Sequence, residues 1–323
     1  MSHKNFWKNL KKPFFVLAPM ADVTDASFRR VIAKYGKPDV MWTEFVSADG
    51  LVRANEEGKK KLMKDLFFDE VERPIVAQLF SGQPEYMEEA AKLVESLGFD
   101  GIDINMGCPD KTIEKQKSGA SLIKNPELAK ELIRAAKRGA PTLPISVKTR
   151  VGYNKIEIED WIPALLEEDI AVLTIHARTR KEMSKVPANW DLVKEVVAIR
   201  DSLKKETLII GNGDVKTIAE GEERVKETGC DGVMIGRGIF GNPWAFRRDY
   251  YTPTLPEKVK ALIEHISFFD ELLGDTKHFA LMKKHFKSYL HGFEGAHALR
   301  ENLMNAEGAK GAQKILTDFL SHS

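Results

Sequence analysis

Cysteine is nearly absent: Cys108 and Cys230 are the only two in 323 residues, far apart and in no metal-ligand spacing. That scarcity argues against a disulfide scaffold and against a thiolate metal site, and it makes the reducing cytoplasm the expected compartment. Long apolar runs are missing too. Nothing approaches the ~20 apolar residues of a membrane span, so a soluble protein with no membrane partner is expected. Lys4, Lys8, Lys11 and Lys12 precede the apolar run from Phe14 to Ala21 and imitate a signal peptide. The run contains Pro19, is barely long enough, and leads into Asp22 without a cleavage signal, which disfavours secretion. A surplus of one charge sign is also lacking. Lysine and arginine number 49 against 48 acidic residues, for a net charge of +1. Global charge therefore neither marks nor excludes a nucleic-acid binder.

What is present is the material of a large core. Hydrophobic residues make up 43% of the chain and charged residues 30%, in the range of folded globular proteins. The length suits one large domain and a small one, because single cores stop growing near ~250–300 residues. Eight short runs rich in Val and Ile recur with helical patterns between them. They are Phe14 to Ala18, Val40 to Glu44, Ile75 to Phe80, Gly101 to Met106, Ile145 to Thr149, Val172 to Ala177, Leu208 to Asn212 and Gly232 to Gly236. Pro84 opens one intervening helix to Leu97, and Asn125-Pro126 opens another to Arg138. Eight such units over about 240 residues predict an α/β fold, a (β/α)8 TIM barrel. From Thr254 onward strand-like runs cease, and periodic apolar positions predict helices over Pro256 to Leu273, Phe279 to His291, His297 to Met304 and Ala309 to Leu320. The Thr252-Pro253-Thr254-Leu255-Pro256 linker places a boundary near residue 250, giving a barrel over 1–250 and an all-α helical bundle over 251–323. Between Lys277 and Arg300 the tail carries Lys277, Lys283, Lys284, Lys287 and Arg300 against Glu294, a local charge of +4.

Barrel chemistry is built at the C-terminal ends of strands, so the residues closing each run matter most. Strand ends here carry Pro19-Met20-Ala21, Thr43-Glu44, Gln78, Asn105 to Pro109, Lys148-Thr149-Arg150, His176-Ala177-Arg178, Asn212-Gly213-Asp214 and Gly236-Arg237-Gly238. Polar and charged groups thus gather at one rim while the run interiors stay apolar. The loops after the last two strands resemble a barrel phosphate site: Gly211, Gly213, Gly236 and Gly238 allow close backbone approach, Arg237 adds charge, and Ile239 to Phe246 offers a short helix. Gly236 to Gly241 also matches the GxGxxG fingerprint. The parallel strand and acidic residue that fingerprint requires do not follow, so a dinucleotide fold is disfavoured.

Several of these segments resemble one family in order and spacing. Leu17 to Arg29 (LAPMADVTDASFR), Asp103 to Pro109 (DINMGCP), Val147 to Gly152 (VKTRVG), His176 to Arg180 (HARTR), Gly211 to Asp214 (GNGD) and Gly236 to Trp244 (GRGIFGNPW) are similar to the tRNA-dihydrouridine synthases. In the tail, Lys284-His285, Tyr289 to Gly295 and Arg300 resemble the helical RNA-binding domain of the bacterial B-type branch. The resemblance implies FMN contacts at Pro19, Met20, Ala21, Gln78, Lys148, His176, Asn212, Gly213, Asp214, Gly236 and Arg237. It places Asn105 and Arg178 near the substrate base. It makes Cys108 the general acid that protonates carbon 5 of uracil while reduced flavin delivers hydride to carbon 6. A thiol with an ordinary pKa near ~8.5 keeps its proton at neutral pH yet can give it up. Further implications are NADPH or NADH as reductant, tRNA as substrate, a monomer, and no metal. Phe45 and Ala177 depart from the family pattern, where methionine and glycine are common. Alternatives are a flavin barrel acting on a free pyrimidine, a non-redox phosphate-binding barrel using Lys148 and His176, and a tRNA-binding protein without catalysis. The lesser alternative for Lys148 is a rim lysine paired with a carboxylate such as Glu44 or Asp103.

Overall fold

The computed structural model describes residues 5–322. Lys4 and the two outermost ends of the predicted domains, at residues 1 and 323, lie outside the described residues. Eight parallel strands pair in the order β1-β8-β7-β6-β5-β4-β3-β2. They are β1 (Phe14–Leu17), β2 (Met41–Ser47), β3 (Ile75–Phe80), β4 (Gly101–Met106), β5 (Ile145–Arg150), β6 (Val172–His176), β7 (Leu208–Asn212) and β8 (Gly232–Ile235). A bridge between Val16 and Val40, with the Leu17 amide donating to the Val40 carbonyl at 3.1 Å, joins β1 to β2 and closes the ring. The fold is the (β/α)8 barrel the eight runs predict. Seven of them match to within one residue at each end. The exception is β2, which runs on to Ser47 because a register shift between Trp42 and Phe45 interrupts its alternation and lets Phe45, Val46 and Ser47 pair with β3.

Helices wrap the sheet in sequence order. The first is α1 (Ala26–Tyr35), followed by α2 (Ala48–Arg53), α3 (Glu56–Asp65), α4 (Pro84–Ser96) and α5 (Lys111–Lys115). Then come α6 (Pro126–Gly139), α7 (Ile158–Leu166), α8 (Asp191–Ser202) and α9 (Ile218–Thr228). Asn125 shows why α6 starts where it does: its side chain accepts from the Leu128 amide, and Pro126 occupies a first-turn position that needs no donor. Inside the barrel the lower layers are apolar, with Val16, Val76, Val172, Ile210 and Met234 packed together. Trp7, on a 3-10 turn over Phe6–Asn9, plugs the floor, its ring 5.9 Å from Phe14 and 5.6 Å from Trp42. Lys8 lies on this plug, and the apolar run from Phe14 forms the first barrel strand.

The segment after β8 departs from expectation. Ile239 to Phe246 does not form a short helix: a 3-10 turn over Arg237–Ile239 gives way to successive turns. Gly241 there has φ +70°, and Pro243 has no amide to donate. A Cβ on Gly241 would sit 1.8 Å from the Ser288 carbonyl oxygen, so this turn packs directly against the tail. The tail comprises α10 (Leu255–Leu273), α11 (Ala280–Tyr289), α12 (Ala296–Met304) and α13 (Gly308–Ser321). Thr254 and Glu257 form a capping box that starts α10. No barrel helix follows β8; α10 instead packs along α1, with Lys34 and Glu264 paired at 2.8 Å. Among the described residues no helix is long and apolar enough to cross a membrane.

Part of the basic stretch of the tail is engaged by the rest of the molecule. Lys277 pairs with Glu44 at 2.9 Å and Asp65 at 2.8 Å and is mostly buried. Lys284 donates to the Asp22 carbonyl, Lys283 to the Met304 carbonyl and Arg300 to the Leu290 carbonyl. Lys277 is thus withdrawn and neutralised by carboxylates outside the stretch, while Lys284 and Lys287 keep their charge at the surface.

Two histidines lie in the seam between α1 and the tail. His265 and His285 are buried, 4.8 Å apart between ring centres, and each lies 5.6 Å from the Phe28 ring. Burial holds both imidazoles well below their ordinary pKa, so both are neutral in the folded protein. The unfolded chain takes up protons as pH falls below about 6.5 while the folded chain does not, so stability is lost in that direction. Each histidine contributes about 1.4 kcal/mol per pH unit to that loss. Asp103, whose pKa is raised, acts in the opposite sense but equally in any variant that leaves it in place. We expect the melting temperature to fall less between pH 6.5 and 5 in His265→Phe than in the wild type. Parallel curves for the two proteins would rule out the seam as the acid-sensitive element.

Candidate active site

A cavity of about 810 Å³ opens at the C-terminal ends of the strands. Its construction follows from the twofold alternation of strands. The same inward positions that are Val76, Val172 and Ile210 below become Gln78, His176 and Asn212 near the mouth, and Asn105 and Lys148 join them from β4 and β5. Loops complete the lining with Pro19 and Met20, Cys108, Arg178, Gly213 and Asp214, and Gly236 and Arg237. Of the residues given a cofactor, substrate or acid role from sequence, only Ala21 stays out of the lining, exposed on the loop beyond Met20. Gly211, read as part of a phosphate loop, is also outside it, and a Cβ there would meet the Trp190 ring at 2.2 Å.

The lining is strongly cationic. Lys148, Arg150, Arg178, Lys216 and Arg237 face it against one carboxylate, Asp214. Arg178 donates to Asp214, and this bond holds the carboxyl below its usual range. Arg237 also reaches Asp214, at 3.5 Å. Lys148 has no ion-pair partner among the described residues; Glu44 is taken by Lys277, and Asp103 acts on Lys148 only at longer range. Burial, reinforced by Arg150, lowers the Lys148 ammonium to about 8. Burial likewise brings Arg150 down to about 10, which leaves it charged. His176 is pushed well below its ordinary pKa by burial and by the surrounding cations Lys148, Arg150, Arg178 and Arg237. Arg178 Nη1 lies 3.2 Å from His176 Nε2, so the neutral ring accepts there and carries its proton on Nδ1. A half-buried, unneutralised ammonium beneath a cationic mouth is a site for an anionic ligand, and the volume is that of a cofactor pocket. These features fit a flavin mononucleotide: Lys148 suits electron-rich ring atoms, and the glycine-bearing ends of β7 and β8 with Arg237 suit a phosphate.

Cys108 sits on a loop held from several sides. The amides of Gly107 and Cys108 donate to Asn105 Oδ1 at 3.1 and 2.9 Å. Arg150 Nε donates to the Gly107 carbonyl at 2.7 Å, and the Ala120 amide donates to the Cys108 carbonyl at 2.9 Å. Gly119 has φ +60°, and a Cβ there would come within 2.7 Å of that same carbonyl. Burial raises the thiol pKa; a backbone contact at Asp110 and the charges of Arg150 and Lys148 pull it back without cancelling the rise.

Two residues that the strand-end pattern leaves without a role of their own also shape this site. Arg150 both lines the cavity and braces the Cys108 loop; its position two residues after Lys148 on one strand is the signal that places both on the inner face. Asp103, fully buried, lies one inward step below Asn105 and had been weighed only as a partner for Lys148. Phe45, a departure from the family pattern, lines the cavity as well.

Comparison with known proteins gives a consistent picture. The family described as dihydrouridine synthase (Dus) matches residues 16–322. A probable tRNA-dihydrouridine synthase of Staphylococcus aureus is 42% identical over 318 residues, spanning 98% of this chain and 96% of the relative. Probable tRNA-dihydrouridine synthase 2 of Bacillus subtilis is also 42% identical over 318 residues, spanning 98% and 97%. Among solved structures, histamine dehydrogenase from Rhizobium sp. 4-9 superposes with a TM-score of 0.54 at 13% identity, over 79% of this chain and 48% of that one. A 2-naphthoyl-CoA reductase bound to 2-naphthoyl-CoA superposes at 0.55 and 12% identity, over 76% and 52%. The chain spans about half the length of these two structures, and at such identity the likeness is one of fold.

The state of the thiol can be measured directly. In a Cys230→Ser background, the rate of Cys108 alkylation by iodoacetamide should still be rising at pH 9, because the thiolate is the reacting form and its pKa is raised. A plateau reached near pH 7 would show that the cations, not burial, set the thiol.

Proposed function

The chain belongs to the dihydrouridine synthase family of oxidoreductases, and on that premise we propose that it reduces uridines of tRNA to 5,6-dihydrouridine with FMN as cofactor, a nicotinamide cofactor as reductant and Cys108 as general acid. The observation that carries this reading is the meeting of a protonated thiol and an anion-binding cavity in one barrel mouth. FMN, once reduced by NADPH or NADH, would supply the hydride to carbon 6 of the uracil ring. Lys148, His176, Gln78 and Asn212 would hold the cofactor from the barrel, with Pro19, Met20 and Ala21 from the loop after β1. Gly213, Asp214, Gly236 and Arg237 would hold its phosphate. Arg178, fixed by Asp214, and Asn105 border the space left for the base.

Cys108 donates its proton to carbon 5 and is left as a thiolate in the field of Lys148 and Arg150, then regains a proton from solvent. The uridine must leave the RNA fold to enter, an extrusion that costs a few kcal/mol and is met by contacts to the RNA body. Recognition of that body is assigned to the helical unit at 251–323 beside the catalytic barrel of 1–250. Exposed Lys287 on the tail, with exposed Lys216 at the mouth, supplies charge toward RNA phosphates.

Cys108→Ala separates the two half-reactions. The variant should bind flavin and accept electrons from NADPH within two-fold of the wild type, while dihydrouridine formation in tRNA falls by about 10²-fold or more. Undiminished tRNA reduction would remove the general-acid role.

A further inference from the structure

Beneath Cys108 runs a chain of hydrogen bonds whose polarity has one source. Asp103 is fully buried on β4, with no water-facing surface. Ser146 Oγ donates to its Oδ1 at 2.6 Å, and Gln78 Nε2 donates to its Oδ2 at 2.6 Å. Asn105 Nδ2 then donates to Gln78 Oε1 at 3.0 Å. Asn105 Oδ1 in turn receives the amides of Gly107 and Cys108. An ionised carboxylate accepts and cannot donate. It obliges Gln78 to point its amino group down and its oxygen up, which obliges Asn105 to do the same. Only in that orientation does Asn105 present oxygen, rather than an amino group, to the two loop amides.

We propose that Asp103 is a positioning residue which, through the Gln78 and Asn105 side-chain amides, fixes the backbone of the loop carrying Cys108. The neighbours support an acceptor at position 103. Lys148 lies above it and favours its ionised form, and burial, which opposes that form, brings its pKa only to about 6. The carboxylate is therefore mostly ionised at neutral pH. Register explains why the chain can form: Gln78 pairs with Asp103 across β3 and β4, Asp103 with Ser146 across β4 and β5, and Asn105 is the next inward position on β4. Three neighbouring strands thus bring the carboxylate, the first amide and the hydroxyl to one layer, and the second amide to the layer above.

Asp103→Asn preserves shape and removes the constraint. If the new side chain offers its oxygen to Gln78, the bond is neutral and about half as strong as the charge-assisted one. If it offers its amino group, Gln78 and Asn105 reverse and set an amino group against two N–H donors. Both cases loosen the loop. The measurement is hydrogen–deuterium exchange of the peptide covering residues 106–110 in the full-length, flavin-loaded protein. Loss of one net hydrogen bond corresponds to about ten-fold faster exchange at Gly107 and Cys108, with β6 and β7 amides unchanged. Gln78→Met, which interrupts the chain midway, should give the same local acceleration. In an Asn105→Ala background, where the loop acceptor is already gone, adding Asp103→Asn should change nothing further at these amides.

Exchange within two-fold of the wild type in Asp103→Asn, or an equal acceleration in the Asn105→Ala background, would overturn the proposal. Its consequence for catalysis rests on the proposed role of Cys108 and reads out separately. A loosened loop with a ten-fold lower kcat for tRNA, and unchanged flavin reduction by NADPH, supports both. A loosened loop with full tRNA activity supports the positioning of the backbone and removes its consequence for catalysis, leaving the acid role to the Cys108→Ala test.

Discussion

Positive charge placed in the mouth of the barrel without matching negative charge is the constraint from which the rest of the site follows. Lys148 and Arg150 leave the same strand on the same side, two residues apart, and neither has a carboxylate at ion-pair distance among the described residues. Such an arrangement is costly unless a ligand brings negative charge, so the protein is built to be completed by one. The neighbouring groups adjust to this field. His176 loses its proton and becomes an acceptor for Arg178, Asp214 stays ionised beside Arg178, and the Lys148 ammonium itself is brought toward neutrality. A parallel barrel is suited to this because every strand delivers one inward side chain to the same rim, above a buried hydrogen-bonded layer and an apolar floor.

The tail takes part in the same construction. Lys277 supplies one ammonium to two carboxylates, Glu44 and Asp65, and so stays charged despite burial, while Glu44 is pushed upward by burial and by the acidic groups near it. Glu44 also accepts from the Asp22 amide, and Lys284 reaches the Asp22 carbonyl. The loop that brings Pro19 and Met20 to the cavity is therefore gripped at Asp22 by both β2 and α11. On its other side Arg29 is fully buried, paired with Glu72 at 2.6 Å and donating to the carbonyls of Thr24 and Phe67. Removing one partner of such a pair leaves an uncompensated buried charge, so these contacts fix geometry more than they add stability.

Legibility in the sequence followed the range of the physics involved. Strands of a parallel barrel are buried on both faces and read as apolar runs, which is why seven of eight are located almost to the residue; β2 escapes because a local bulge breaks the pattern. Polar strand ends likewise betrayed the cavity. What could not be read was pairing across distance. Lys277 resembles a solvated tail lysine until Glu44 and Asp65, more than two hundred positions earlier, are seen around it. Asp103 sits inside a motif and looks like part of its signature, yet its function depends on Gln78 and Ser146 from the two adjacent strands. The turn at Ile239 to Phe246 failed for a similar reason, since the close approach of Ser288 that requires Gly241 is a tertiary fact.

The same field decides which side chain can serve as an acid. An imidazolium at His176 is excluded by the cations around it, and Asp214 has already lost its proton to Arg178's influence. Lys148 does carry a proton, but giving it up would erase the charge that holds an anionic ligand. Cys108 differs in sign. It begins neutral, kept so by burial, and proton loss creates a negative charge beside Lys148 and Arg150, which interact favourably with it. Stabilisation that grows as the charge develops lowers a barrier rather than a ground state. A cationic barrel mouth thus favours a thiol over a histidine or a carboxylic acid for proton delivery, and it makes the exact placement of that thiol, rather than its acidity, the property the surrounding hydrogen bonds must secure.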